Sequence, residues 1–167
     1  TVSGGTISAF TGSGTTYSAL FTPTNGFNAL SGSVSIASGV LSDAAGNGNT
    51  ASSTLALTID TLAPSAPVVT GTSPIATSSA TPTIGGTAEA NALVSLTDNS
   101  STPATQLGSA IADANGVWSF VAPSLLDGDH ALTATATDAA GNTSVASTSK
   151  TWRIDTTPPS VSFTAVA

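Results

Sequence analysis

The side chains able to do chemistry are few, and most are acidic. Nine Asp and Glu residues stand against Lys150, Arg153 and a single histidine, His130, for a formal charge of −7. Asp43, Glu89, Asp113 and Asp138 sit in turn-like stretches rich in Gly, Ala and Asn, and Asp60 and Asp155 follow Ile in Ile-Asp-Thr stretches that run into proline. Carboxylates of this kind suit a divalent cation such as Ca2+, which takes roughly six to eight hard oxygens from side chains, carbonyls and water. They serve equally to keep a surface soluble. Other chemistries lack their parts. A Ser–His–acid triad would have to use His130, which follows Asp129 at a predicted strand start and reads as a surface or rim histidine. Without Cys there are no disulfides, thiolate nucleophiles or Cys-based zinc sites. Paired carboxylates for glycoside hydrolysis survive counting alone, yet the acids lie in turns without the aromatic platforms of a sugar cleft. The glycines are scattered and show no phosphate-cradling pattern between a strand and a helix. The chain reads as a non-enzyme.

Composition narrows the class further. Only 7% of the 167 residues are charged while 40% are hydrophobic, the opposite of a disordered chain. No run approaches the ~20 apolar residues of a spanning helix, so no membrane insertion is expected. The acidic balance repels nucleic acid, whose binding rests on Lys and Arg. No basic segment leading into an apolar one opens the chain, which places any export signal elsewhere.

The elements that would position the acids repeat. Asp43-Ala-Ala-Gly-Asn47 returns as Asp138-Ala-Ala-Gly-Asn142, and Ile59-Asp60-Thr61 with Pro64-Ser65 returns as Ile154-Asp155-Thr156 with Pro159-Ser160. From 43 to 138 and from 60 to 155 the offset is the same, 95 positions. A common offset defines a unit of about 95 residues, the size of an immunoglobulin-like sandwich. The local pattern is all β, with no helical period that carries capping signals. Leu55, Leu57 and Ile59 share a strand face, and Lys150, Trp152 and Ile154 repeat that phase. Ala37, Gly39 and Leu41 are matched with Leu132, Ala134 and Ala136 as the preceding strand. Trp118 and Phe120 share an inward face after Asn115-Gly116, a hairpin signal, and core packing is the expected role of both Trp118 and Trp152.

Strands are predicted in the second unit near 67–71, 81–87, 92–97, 106–112, 117–122, 130–137 and 146–154. The expected organisation is residues 1–60 as the C-terminal part of one domain, 61–155 as a complete domain, and 156–167 as a linker and the first strand of another. The first part contributes a hairpin, Gly5–Phe10 with Thr16–Phe21 through Gly12-Ser13-Gly14, plus two last strands. Pro159–Ala167 reads as an opening strand.

These motifs resemble the tandem bacterial Ig-like repeats of large surface adhesins. Asp-Ala-Ala-Gly-Asn, Ile-Asp-Thr-x-x-Pro, Gly86-Thr-Ala-Glu-Ala-Asn-Ala-Leu-Val94 and Ala112-Asp-Ala-Asn-Gly-Val-Trp118 carry the likeness over nearly the whole chain. Val2-Ser-Gly-Gly-Thr-Ile-Ser8 is similar to a sister subtype. The resemblance implies tandem β-sandwiches of Greek-key topology with about seven strands each. It further implies type-I-secreted, RTX-type or biofilm-associated proteins outside the cell, built as extension modules with structural Ca2+ stiffening the joints. Lys150 at an inward phase and Gly85, where a larger residue is common, depart from the pattern.

In such a topology Glu89, Asp113 and Asp138 fall in three loops at the end where the chain arrives, next to Asp60 of the preceding unit. A cation there would relieve their mutual repulsion, with Asn142 and the carbonyls of 139–141 completing its shell. Asp43 and Asp155 belong to equivalent joints. An Asp before Ala-Ala-Gly-Asn is also a plain turn former, and Asp-x-Asn-Gly an ordinary hairpin turn. Asp127 and Asp129, around Gly128, read as a solvated turn or a part of the next joint. The functional expectation is a stalk module whose partners are neighbouring repeats of the same polypeptide. Its alternatives are a glycan- or protein-binding module, or a filament subunit completed by a neighbouring chain's strand.

Overall fold

The computed structural model describes residues 1–13 and 16–164, all strand, turn or irregular, with no helix. Gly14, in the predicted hairpin connection, and Ala165–Ala167, the end of the predicted opening strand, lie outside the described residues. The chain divides into two compact units, Thr1–Leu62 and Ala63–Ala167.

In the second unit the strands are β6 (Val68–Val69), β7 (Ile75–Thr77), β8 (Thr83–Thr87), β9 (Leu93–Asp98), β10 (Thr105–Ile111), β11 (Val117–Val121), β12 (Gly128–Thr137) and β13 (Lys150–Ile154). They form a five-stranded sheet of order β10-β9-β12-β13-β7 and a three-stranded sheet of order β11-β8-β6. Alternation decides what is inside, because successive side chains point to opposite faces. Val94 and Leu96, Leu132 and Ala134, Trp152 and Ile154 are buried from one sheet, and Ile84 and Trp118 from the other. Trp118 lies opposite Gly86, where a Cβ would fall 1.8 Å from the Val68 carbonyl oxygen and 2.9 Å from the indole Cζ2. Only glycine permits that approach.

Three strand expectations are corrected. Residues 106–112 and 117–122 do not pair as a hairpin. β10 and β11 belong to opposite sheets, and the Asn115-Gly116 turn carries the chain between them. The predicted strand 146–154 starts only at Lys150. Ahead of it, Ser144 and Ser147 keep half of the ladder, their N–H groups donating to Ala136 O and Ala134 O at 2.8 Å, while their hydroxyls accept the Ala136 and Ala134 N–H groups at 2.9 and 3.0 Å. The third is β7, which has no counterpart among the predicted strands and pairs in parallel with β13. The arriving chain thus gives β6 to one sheet and, past Pro74, β7 to the other.

The first unit has β1 (Val2–Ser3), β2 (Gly5–Ser13), β3 (Thr16–Pro23), β4 (Leu30–Val34) and β5 (Leu55–Ile59). β2 and β3 form the expected hairpin, longer at both ends, and the remaining strands order as β1-β4-β5. The partner of β5 is β4, not Ala37–Leu41. Ile36 and Leu41 repeat the contacts of Ala134 and Ala136, donating to Ser52 Oγ and Asn49 Oδ1 at 2.9 and 2.8 Å. Four residues separate this pair where one separates the other, so three extra residues break the strand. The Asn49 amide fills the break by donating to Ala37 O. Burial here is slight. Phe10 stacks on Tyr17 at 5.5 Å, yet both remain exposed beside an open apolar groove with Ile7, Phe21, Leu55 and Leu57.

Candidate functional site

Strand register decides which acids share an end of the second unit. Leu93 is flanked by Ile111 and Thr137, and Val68 stands opposite Thr87. The loops carrying Glu89, Asp113 and Asp138 therefore lie at one end, where the chain arrives from Pro64. Hydrogen bonds tie two of these loops together, Ala88 N–H donating to Gly116 O at 2.8 Å and Asn91 N–H to Ala112 O at 3.1 Å. Glu89 is exposed and borders a shallow cleft with Ser65, Ala66 and Val68.

Asp43, Asp113 and Asp138 head one and the same five-residue loop, Asp-Ala-x-Gly-x. Oδ1 of each accepts the N–H groups of the third and fifth residues: Ala45 and Asn47, Asn115 and Val117, Ala140 and Asn142, all at 2.8–2.9 Å. The fourth residue is glycine at φ 87, 78 and 93°, left-handed backbone that favours it. Asn47 and Asn142 each add an amide N–H to Oδ2 of the leading Asp. That amide is the first cause, and the backbone donors a further one, of the Asp43 and Asp138 carboxyls being held below the usual range. Each carboxylate thus shapes its own turn whether or not it also meets a cation.

The remaining acids also hold partners of their own. Asp60 follows buried Ile59 in the first unit and accepts the Leu62 N–H at 3.2 Å. Asp155 follows Ile154 at the opposite end of the second unit and accepts the Thr157 N–H at 3.1 Å. Asp129 forms a two-pronged pair with Arg153 at 2.6 and 2.8 Å. Among the described residues, no three His, Asp or Glu side chains gather into a group able to hold a metal ion.

One pair escaped the sequence reading. His130 is half-buried rather than on the surface, with Nδ1 2.6 Å from Oδ2 of buried Asp98 and Nε2 2.9 Å from Leu126 O. Asp98 continues the inward phase of Val94 and Leu96, the one signal that could have exposed it.

Two packed sheets, antiparallel except where β7 joins β13, with a split first strand and end-clustered loops define an immunoglobulin-like β-sandwich. Residues 69–156 match a family model described as a bacterial Ig-like domain, and residues 1–59 match a second model of the same description. The chain belongs to the bacterial Ig-like domain family. Domains of this family are typically non-catalytic structural modules and are common in surface proteins. No curated protein matches the chain.

Proposed function

We propose that this chain is part of the stalk of a large bacterial surface adhesin of the type-I-secreted, RTX or biofilm-associated kind, outside the cell. Its work is extension: each domain adds length between the cell and a distal adhesive part. The observation that carries this reading is the tandem, two bacterial Ig-like domains following one another in a single chain.

The finer part of the proposal is structural Ca2+ where one domain meets the next. Support comes from three acid-bearing loops sharing the end of the second unit at which the chain arrives. Asp60, Glu89, Asp138 and Asn142 are the proposed ligands, with Asp113 as a further contributor and Asp43 and Asp155 serving equivalent joints. Because extracellular calcium is abundant, weak sites suffice, with Kd roughly 0.1–1 mM.

Small-angle scattering and melting, each in 10 mM Ca2+ and then in EDTA, test both parts. The spacer reading expects an elongated particle, and a compact one overturns it. The calcium reading expects a narrower distribution of shapes with the metal, and a stability gain of about 1.4–2.7 kcal/mol from mass action at that affinity. Glu89→Gln with Asp138→Asn should abolish that gain. Insensitivity of both shape and melting to EDTA sinks the calcium joint.

A further inference from the structure

The two units grip the departing chain at the same repeat position by different means. Thr61 and Thr156 lie 95 positions apart, each one residue past the Asp that follows the last strand. In the first unit Thr61 donates its N–H to Phe27 O at 2.7 Å and its hydroxyl to Thr24 O at 3.0 Å, and accepts the Phe27 N–H at 3.3 Å. In the second unit one side chain takes that part. Oδ1 of Asp127 accepts both the N–H of Thr156 at 3.0 Å and its hydroxyl at 2.8 Å, and Oδ2 accepts the Thr157 hydroxyl at 2.9 Å. Thr24, Phe27 and Asp127 all belong to the connection ahead of the strand that pairs with the last one, β4 or β12.

We propose that this grip is an exit latch made of protein groups, fixing the direction in which the chain leaves each unit, and that Asp127 is its positioning residue in the second. Three donors around one carboxylate define an angle as well as a contact, since charge-assisted bonds are short and directional. The sequence alone reads Asp127 as a solvated turn or a joint acid, whereas its oxygens face hydroxyls and an amide of the departing segment. Asp155 adds to the hold, its N–H donating to Thr77 O at 3.0 Å. The Asp127 carboxyl lies below the usual range, first through the Thr156 hydroxyl, then the Thr156 N–H and the Thr157 hydroxyl. The latch is therefore complete above the ordinary carboxylate range and is lost as pH falls through the lowered value. Its purpose rests on the spacer reading, because a stalk must pass direction from module to module. Its geometry does not.

Backbone NMR on the full chain tests it. In Asp127→Ala, amide exchange at Thr156 is expected to rise about tenfold, the worth of one or two such bonds, and the heteronuclear NOE over 156–164 to fall. Asp127→Asn, which keeps an acceptor, should fall between. Asp129→Ala removes the neighbouring Arg153 pair and should leave Thr156 protected. Unchanged Thr156 exchange in Asp127→Ala overturns the latch, and so does an equal rise in Asp129→Ala. A compact particle in scattering beside a loosened Thr156 would overturn the spacer reading and leave the latch standing.

Discussion

Trp118→Ala destabilises the second unit by about 3–5 kcal/mol, a fall in melting temperature of more than about 12 °C for a domain of this size. The cost is large because the indole is the bulk of one sheet's contribution to a closed core. Ala112, Ala122 and Ala134 belong to the same buried cluster, and none of these short side chains can extend into the space that the ring leaves. Gly86 beneath it is held against the Val68 carbonyl and cannot be enlarged to compensate. Trp118→Phe behaves differently. The Trp118 Nε1 group is buried without a hydrogen-bond partner among the described residues, so removing it relieves a desolvated donor while losing some contact area. A cost of about 1 kcal/mol is expected. Both tryptophans of the chain lie in the second unit, so in each variant the fluorescence of Trp152 reports that unit alone. Urea titrations in which Trp118→Phe and Trp118→Ala lose equal stability would show that ring volume is not what the site requires.

Alternation of small polar and apolar residues was enough to place seven of the eight strands of the second unit to within a few residues. The exceptions have local causes. β7 is three residues long and pairs in parallel at an edge, too short for a periodic signal. Ser144 and Ser147 look like strand residues because they do a strand's work, but their hydroxyls stand where a ladder would place accepting carbonyls. Asn115-Gly116 predicted a turn correctly and a hairpin wrongly, since the same Asp-led loop can join paired strands or cross between sheets. Its recurrence at Asp43 and Asp138 shows that the repeated motif is first a backbone device. In the first unit the 95-residue offset is displaced by three residues between Ile36 and Leu41, and a gapless comparison therefore assigned the wrong strand. For the acids, strand order was enough to gather Glu89, Asp113 and Asp138 at one end, as the register of Ile111, Leu93 and Thr137 does. Asp98 and His130 were harder to join. They are 32 residues apart, and the pairing of β9 with β12, in a register that sets Leu132 opposite Asp98, brings them together.

That pair gives the second unit a pH profile with an upper limit near neutrality. Both ring nitrogens of His130 face acceptors, Asp98 and the Leu126 carbonyl, so the ring satisfies both only as imidazolium. Burial by itself would lower the His130 pKa. The bonds to Asp98 and Leu126 and the negative charges of Asp98 and Asp129 outweigh it and raise the value above the ordinary 6.5. For Asp98, burial pushes up, but the His130 and Ser100 bonds and the charge on His130 leave the carboxyl below its ordinary value. The signs follow by linkage. The histidine's contribution is fully present below the unfolded imidazole pKa and is lost as pH rises through the raised folded value. That of the aspartate is present above the unfolded carboxyl pKa and is lost as pH falls through the lowered one. Stability of the second unit is therefore greatest between about pH 4 and 6.5 and declines above that window. His130→Ala, measured at pH 6, leaves Asp98 buried without its cation and costs about 2–3 kcal/mol, or roughly 10–20 °C in melting temperature. Asp98→Asn keeps the shape and removes the charge, so melting temperature should become nearly level from pH 5 to 8. NMR titration of the His130 ring checks the cause directly, with a midpoint above 6.5 in the native protein that drops in Asp98→Asn. A native midpoint at or below 6.5 would mean that burial prevails over the carboxylate, and the alkaline decline should then be absent.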